Sequence, residues 1–144
     1  MTMNLKTIRE LDSEIKSLEG KLKGLKNSVL TVSTSRITGS PRAKAIDSRI
    51  EVMTQKIVDI ETELAELNQR REELALQLSL EIYERVKRVD VGRILYLRYV
   101  ECLPFSDVLT QFDYTEQHIW RLHREGVKQF NAVEEMAKKN DTAD

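Results

Sequence analysis

Ile8, Leu11, Ile15, Leu18, Leu22, Leu25 and Val29 follow one another at alternating spacings of three and four. That is the seam of a coiled coil, narrower than the apolar stripe of a globular helix, and it predicts a helix through this segment. Gly20 and Gly24 lie off the seam, and each costs about 1 kcal/mol relative to alanine in a helix interior. Between Thr31 and Ala45 the period is lost and Ser, Thr, Gly39 and Pro41 gather, which predicts a linker over about residues 31–45. A second seam then runs through Ile50, Met53, Ile57, Ile60, Leu64, Leu67, Leu74 and Leu78, with Asp47 or Ser48 placed to cap it. Arg71 falls where that seam expects an apolar residue, so it either sets register or snorkels to solvent.

A helix with one apolar seam needs a partner to be stable. The first helix folding back on the second supplies one, and residues 1–88 are therefore read as a coiled-coil hairpin. The longer second helix would leave its end, around Leu74 and Leu78, uncovered. That predicts a homo-oligomer, most simply a dimer, joined through Ile57, Ile60, Leu64, Leu67, Leu74 and Leu78. Arg71 is then expected to face an acidic residue of a partner helix.

The pattern changes after residue 88. Asp90 can cap a new helix, the run Ile94–Val100 is dense enough in apolar residues to be a core, and Leu103 and Pro104 end it and start another. Phe105, Val108, Leu109 and Phe112 form the stripe of a short helix, Asp113 and Tyr114 a turn, and Thr115 the N-cap of a last helix. Residues 89–140 thus have the outline of a helix-turn-helix domain, and the fold class is all-α. At 100° per residue from Gln117, Leu122, Gly126, Ile119 and Phe130 fall between about 140° and 220°. Arg121, Arg124 and Lys128 fall within about 40° of Gln117, on the opposite side. Gln and Arg side chains match adenine and guanine edges, and Arg and Lys neutralise phosphate. The same stripe would also serve as an ordinary solvated face.

Composition adds limits. Charged residues make up 33% of the 144, aromatics 6%, and there are only five glycines and two prolines, as a helix-rich chain requires. No apolar run is long enough for a membrane span and no signal peptide is legible, so Cys102 is expected to be a reduced thiol in a cytoplasmic protein. Residues 1–44 carry a net +5, residues 45–87 a net −4 and the remainder −2, an opposition that suits two helices lying side by side. His118 and His123 are five apart and do not share a face for metal binding. No phosphate loop, Cys pair or nucleophile motif occurs, so neither an enzyme activity nor a cofactor nor a metal is expected.

The stretch Pro104–Leu122, PFSDVLTQFDYTEQHIWRL, resembles the helix-turn-helix of sigma-factor region four, which binds the promoter −35 element. The chain as a whole resembles the small phage-encoded transcriptional regulators of Gram-positive bacteria, the ArpU/RinA-like group. The matching pieces are Asp47–Ile50 (DSRI), Lys56–Glu61 (KIVDIE), Leu95–Val100 (LYLRYV) and Tyr114–His123 (YTEQHIWRLH), in the right order over most of the chain. The resemblance implies a DNA-binding regulator of phage or prophage genes, often late ones, working beside host RNA polymerase. It carries base reading to Glu116, Gln117, Trp120 and Arg121, and a phosphate-proximal cap to Thr115. With Arg124 and Lys128 from the face reading, these are the expected contacts to double-stranded DNA.

Three departures stand out. Leu109 replaces the usual small residue, Phe105 replaces a tryptophan, and Glu116 and Trp120 replace basic residues of the sigma helix. Trp120 either meets a thymine methyl or packs over Val127, and His123, at the edge of the apolar face, is read as structural. Two other functions remain open on sequence alone. One is an adaptor that grips RNA polymerase without reading DNA; the other is a small terminase subunit of phage packaging.

Overall fold

The computed structural model describes residues 4–34 and 41–142, and every element in them is helical. The order is α1 (Thr7–Thr34), α2 (Pro41–Arg85), α3 (Val89–Leu95) with a π-helical turn continuing it (Tyr96–Val100), α4 (Phe105–Thr110) and α5 (Glu116–Thr142). These are a helical hairpin and a set of smaller helices. Among the described residues there is no strand, and no helix is long and apolar enough to cross a membrane.

The expected linker is shorter than its composition suggests. α1 continues to Thr34 and α2 already begins at Pro41, so only residues 35–40 of it lie outside the described residues. Serine and threonine need not break a helix when their hydroxyls return to it. Ser28 donates to the Gly24 carbonyl at 2.9 Å, Thr31 to Asn27 at 3.0 Å and Ser33 to Leu30 at 3.0 Å. Pro41 takes the first helical position, where its missing N–H costs nothing. Asp47 and Ser48, expected to cap α2, therefore lie inside it.

Contacts divide the chain into two compact units, Leu11–Arg71 and a second made of Glu72 onward together with the residues up to Glu10. The first unit is the body of the hairpin. Leu11, Ile15 and Leu64 are buried, while Leu18, Leu22, Leu25, Val29, Ile57, Ile60 and Leu67 are half-covered along the two seams. The helices run antiparallel, because ion pairs join Asp12 to Arg71 and Lys26 to Glu61. Two of the Arg71 nitrogens engage the Asp12 carboxylate, Nε most closely and Nη2 at 3.3 Å. The acidic partner of Arg71 thus belongs to α1 of the same chain.

The second unit holds the main core: Leu5, Ile8, Leu78, Ile82, Val86, Val91, Ile94, Leu95, Leu97, Tyr99, Val100, Val108, Ile119, Leu122 and Phe130. Leu78 is wholly buried there and Leu74 packs against the cluster, so the end of the second seam is covered by its own chain. The expectation that these two leucines lie bare fails for a simple reason: Leu5 and Ile8, at the start of α1, share that core. Within α2, the division between the two units falls between Arg71 and Glu72.

Candidate nucleic-acid interface

The last helix is positioned from three sides. At its start, the Thr115 hydroxyl accepts the His118 N–H at 3.3 Å, an N-cap as the sequence predicts, and Glu116 places a carboxylate in the first turn. Along its length, Ile119, Leu122 and Phe130 are buried in the core, and Gly126 lies directly against α3. A β-carbon at Gly126 would come within 2.7 Å of Val91 and 3.1 Å of Leu95, so this approach requires glycine.

The third support is the turn before it. Tyr114 donates to the Asp90 carboxylate at 3.4 Å, stacks with Phe112 at 6.1 Å and meets His118 edge-on at 4.8 Å. The Arg93 guanidinium lies 5.4 Å from the centre of the Phe112 ring. Asp90 was expected to cap α3, but Arg88 holds that place without a side-chain bond. Asp90 sits instead in the first turn, accepting from the Val91 N–H at 2.8 Å and pairing with Arg88 at 2.7 Å. Asp90, Arg93, Tyr114 and His118 thus fix the turn, and the bond from Tyr114 to Asp90 spans 24 residues, which local sequence spacing does not announce.

Behind α5, the segment read as one helix through Val100 changes pitch. The Glu101 N–H reaches back five residues to Tyr96 at 3.1 Å, and the Leu103 N–H reaches Leu97 at 3.0 Å. The wider turn brings Leu97, Tyr99 and Val100 all into the core, and Cys102 closes it with a positive φ of 56°. Pro104 is the N-cap of α4, one place earlier than the first-turn position expected for it.

Tyr99 meets α5 through His123. Its hydroxyl lies 2.8 Å from His123 Nε2, the two rings stack at 5.6 Å, and His123 Nδ1 is buried with no hydrogen-bond partner. Burial, and then the positive charge of Arg98, pushes His123 below its usual range, while burial pushes the Tyr99 phenol up. The rings of Phe105 and Trp120 meet His123 nearly at right angles, each 5.8 Å away. Trp120 itself stacks on Phe105 at 3.7 Å. It packs on α4 through that ring, and it stays 41% exposed.

The residues singled out on α5 emerge together. Thr115, Glu116, Gln117, Trp120, Arg121, Arg124 and Lys128 are all exposed, as is Glu125 among them. Of the seam residues named for oligomerisation, Ile57, Ile60, Leu64 and Leu67 lie along the hairpin, while Leu78 is in the core of the other unit and Leu74 packs against that core. Among the described residues no group of three or more His, Cys, Asp or Glu could hold a metal ion. The two histidines point into separate ring clusters, His118 with Tyr114 and His123 with Tyr99. Comparison with protein-family models, with curated proteins and with solved structures finds no match to this chain.

Proposed function

We propose that the chain is a sequence-specific DNA-binding transcription regulator, with α4, the turn and α5 acting as a helix-turn-helix and α5 entering the major groove. The observation that carries this reading is the division of α5 into two faces. Ile119, Leu122 and Phe130 are buried, and Gln117, Arg121, Arg124 and Lys128 are exposed on the side away from them. Gln117 and Arg121 are the base readers, able to make bidentate contacts to adenine and guanine. Arg124 and Lys128 contact phosphate, and Thr115 stands at the helix start, where an N-terminus favours an anion. The resemblance to phage regulators adds the setting: phage or prophage late genes, with host RNA polymerase alongside.

Selection of bound sequences from a random DNA pool tests the proposal, followed by gel retardation with the selected site. Gln117→Ala with Arg121→Ala should abolish selective binding while the helical circular dichroism is retained, each lost base contact costing about 1–3 kcal/mol. Equal binding by the wild type and the double variant would remove α5 from the reading role. A second reading is favoured by the exposed carboxylates of Glu116 and Glu125, which dilute the positive charge beside Arg121 and Arg124. In that reading the same face grips RNA polymerase. Capture of polymerase from nuclease-treated host lysate, with no selection from the DNA pool, would establish it in place of the first.

A further inference from the structure

Trp120 is out of keeping with its neighbours on α5. Gln117, Arg121, Arg124 and Lys128 present charges and hydrogen-bonding groups to solvent, whereas Trp120 presents the ring of an indole. Among the described side chains of α5 it is the only exposed aromatic. It is also anchored. Phe105 of α4 covers one face of the indole, with the ring centres 3.7 Å apart and the planes 17° from parallel. His123, three residues further along α5, meets it nearly at right angles and is itself held by the Tyr99 hydroxyl at 2.8 Å. Gln117, three residues before Trp120, and Arg124, four after it, share its side of the helix.

We infer that Trp120 is an apolar base reader that selects thymine through its 5-methyl group. The inference rests on the DNA reading of α5 and adds the base that its apolar part takes. In the major groove the base edges offer donors, acceptors and one apolar group, the thymine methyl. A polar edge pressed against an indole would give up water and gain no partner, whereas the methyl gains by leaving water. Stacking on Phe105 favours this use, because a side chain already ordered in the free protein loses little freedom on binding. The place of Trp120 on the helix also sets the register. One helical turn rises about 5.4 Å and one base-pair step about 3.4 Å, so the thymine lies within about two base pairs of the base read by Gln117.

The test removes the methyl group and nothing else. A site selected from a random DNA pool is remade with each thymine replaced in turn by deoxyuridine, which pairs identically. Binding by the full chain should weaken about fourfold at one such position, the worth of one buried methyl. 5-Bromouracil at that position should restore affinity, since bromine is close to a methyl in size. The same bromine should quench the emission of Trp120, the only tryptophan of the chain, and bromine at other thymines should not. Trp120→Ala should bind the thymine and uracil sites alike, with the preference that depends on Gln117 and the helical circular dichroism both retained. A selected site with no thymine near the base read by Gln117 overturns the assignment and leaves the DNA reading standing. So does a uracil series with no weakened position, bromine that leaves the emission unchanged, or a methyl effect that persists in Trp120→Ala. No selection from the pool by the wild type overturns the DNA reading and this inference with it. Should Trp120→Ala fail to fold, the uracil and bromouracil series on the wild type decide alone.

Discussion

The hydroxyl of Tyr99 stands 2.8 Å from Nε2 of His123, with the two rings stacked and the other imidazole nitrogen buried without a partner. Either tautomer of His123 leaves Nδ1 unsatisfied, and the imidazolium would bring a charge into the same buried place, already near the cationic Arg98. The folded chain therefore resists protonation at this site. An unfolded chain takes up the proton near the ordinary value of 6.5. As pH falls through that value the unfolded state gains a proton that the folded state refuses, so the stability present above it declines until His123 titrates in the fold. The slope is at most about 1.4 kcal/mol per pH unit, the equivalent of one proton. Urea midpoints at neutral and mildly acidic pH should show a smaller decline for His123→Phe than for the wild type. Identical declines would place the pH dependence elsewhere.

The two ion pairs of the hairpin should differ in value. Arg71 and Asp12 are bidentate and only 28% and 23% exposed, whereas Lys26 and Glu61 make one contact at 3.3 Å and are about half exposed. Double-mutant cycles using Asp12→Asn with Arg71→Gln should give a coupling of about 1 kcal/mol that survives added salt. The same cycle on Lys26 and Glu61 should give less than about 0.5 kcal/mol and vanish at high ionic strength.

Glycine-to-alanine exchange should change sign with position. At Gly20 and Gly24 a β-carbon meets nothing within 4 Å, so alanine should stabilise by up to about 1 kcal/mol through helix propensity. At Gly126 the same propensity gain is opposed by contact with Val91 at 2.7 Å and Leu95 at 3.1 Å. Overpacking of this kind costs about 1–3 kcal/mol, so Gly126→Ala should lower the melting temperature while the other two raise it.

The chain has a single tryptophan, which makes the contact between α4 and α5 observable. Trp120 lies on Phe105 at 3.7 Å. Phe105→Ala should shift its fluorescence to longer wavelength and cost about 0.5–1.5 kcal/mol for the lost ring pair, beyond the apolar area exposed. An unmoved emission spectrum would show that the indole does not depend on Phe105.

If α5 reads DNA, its two cationic contacts should be separable from its readers. Lys128→Ala should weaken binding to all sequences alike and reduce the slope of log affinity against log salt by about 1. Arg121→Ala should relax selectivity at one base pair of the selected site. The reverse pattern would exchange the roles of the two residues.

The seams were legible because they depend on spacing alone: Ile8, Leu11, Ile15 and Leu64 are buried as an alternation of three and four requires. The apolar face of α5 was legible for the same reason. What spacing could not show is which helix covers which stretch of α2. Leu74 and Leu78 read as the uncovered end of the second seam, yet Leu78 points into a core shared with Leu5 and Ile8, and it is Leu76 and Leu80 that face solvent. The change of pitch at Tyr96–Val100 was equally hidden, since Leu97, Tyr99 and Val100 are bought into the core by tertiary packing and not by any helical period. Serine and threonine in α1 looked like loop residues because their composition carries no record of where their hydroxyls bond.

Leu5 and Ile8 pack with Leu78 and Ile82, residues about seventy places further along. During synthesis the first pair emerges long before the second. At about 5–20 residues per second, the early side chains wait roughly 4–14 s for the leucine and isoleucine that will cover them. Through that interval α1 offers the growing chain an apolar surface without its mate, and the main core cannot close until Leu78 and Ile82 have been made. Closure of this core is therefore a late event, set by the roughly seventy residues that separate its two halves along the chain.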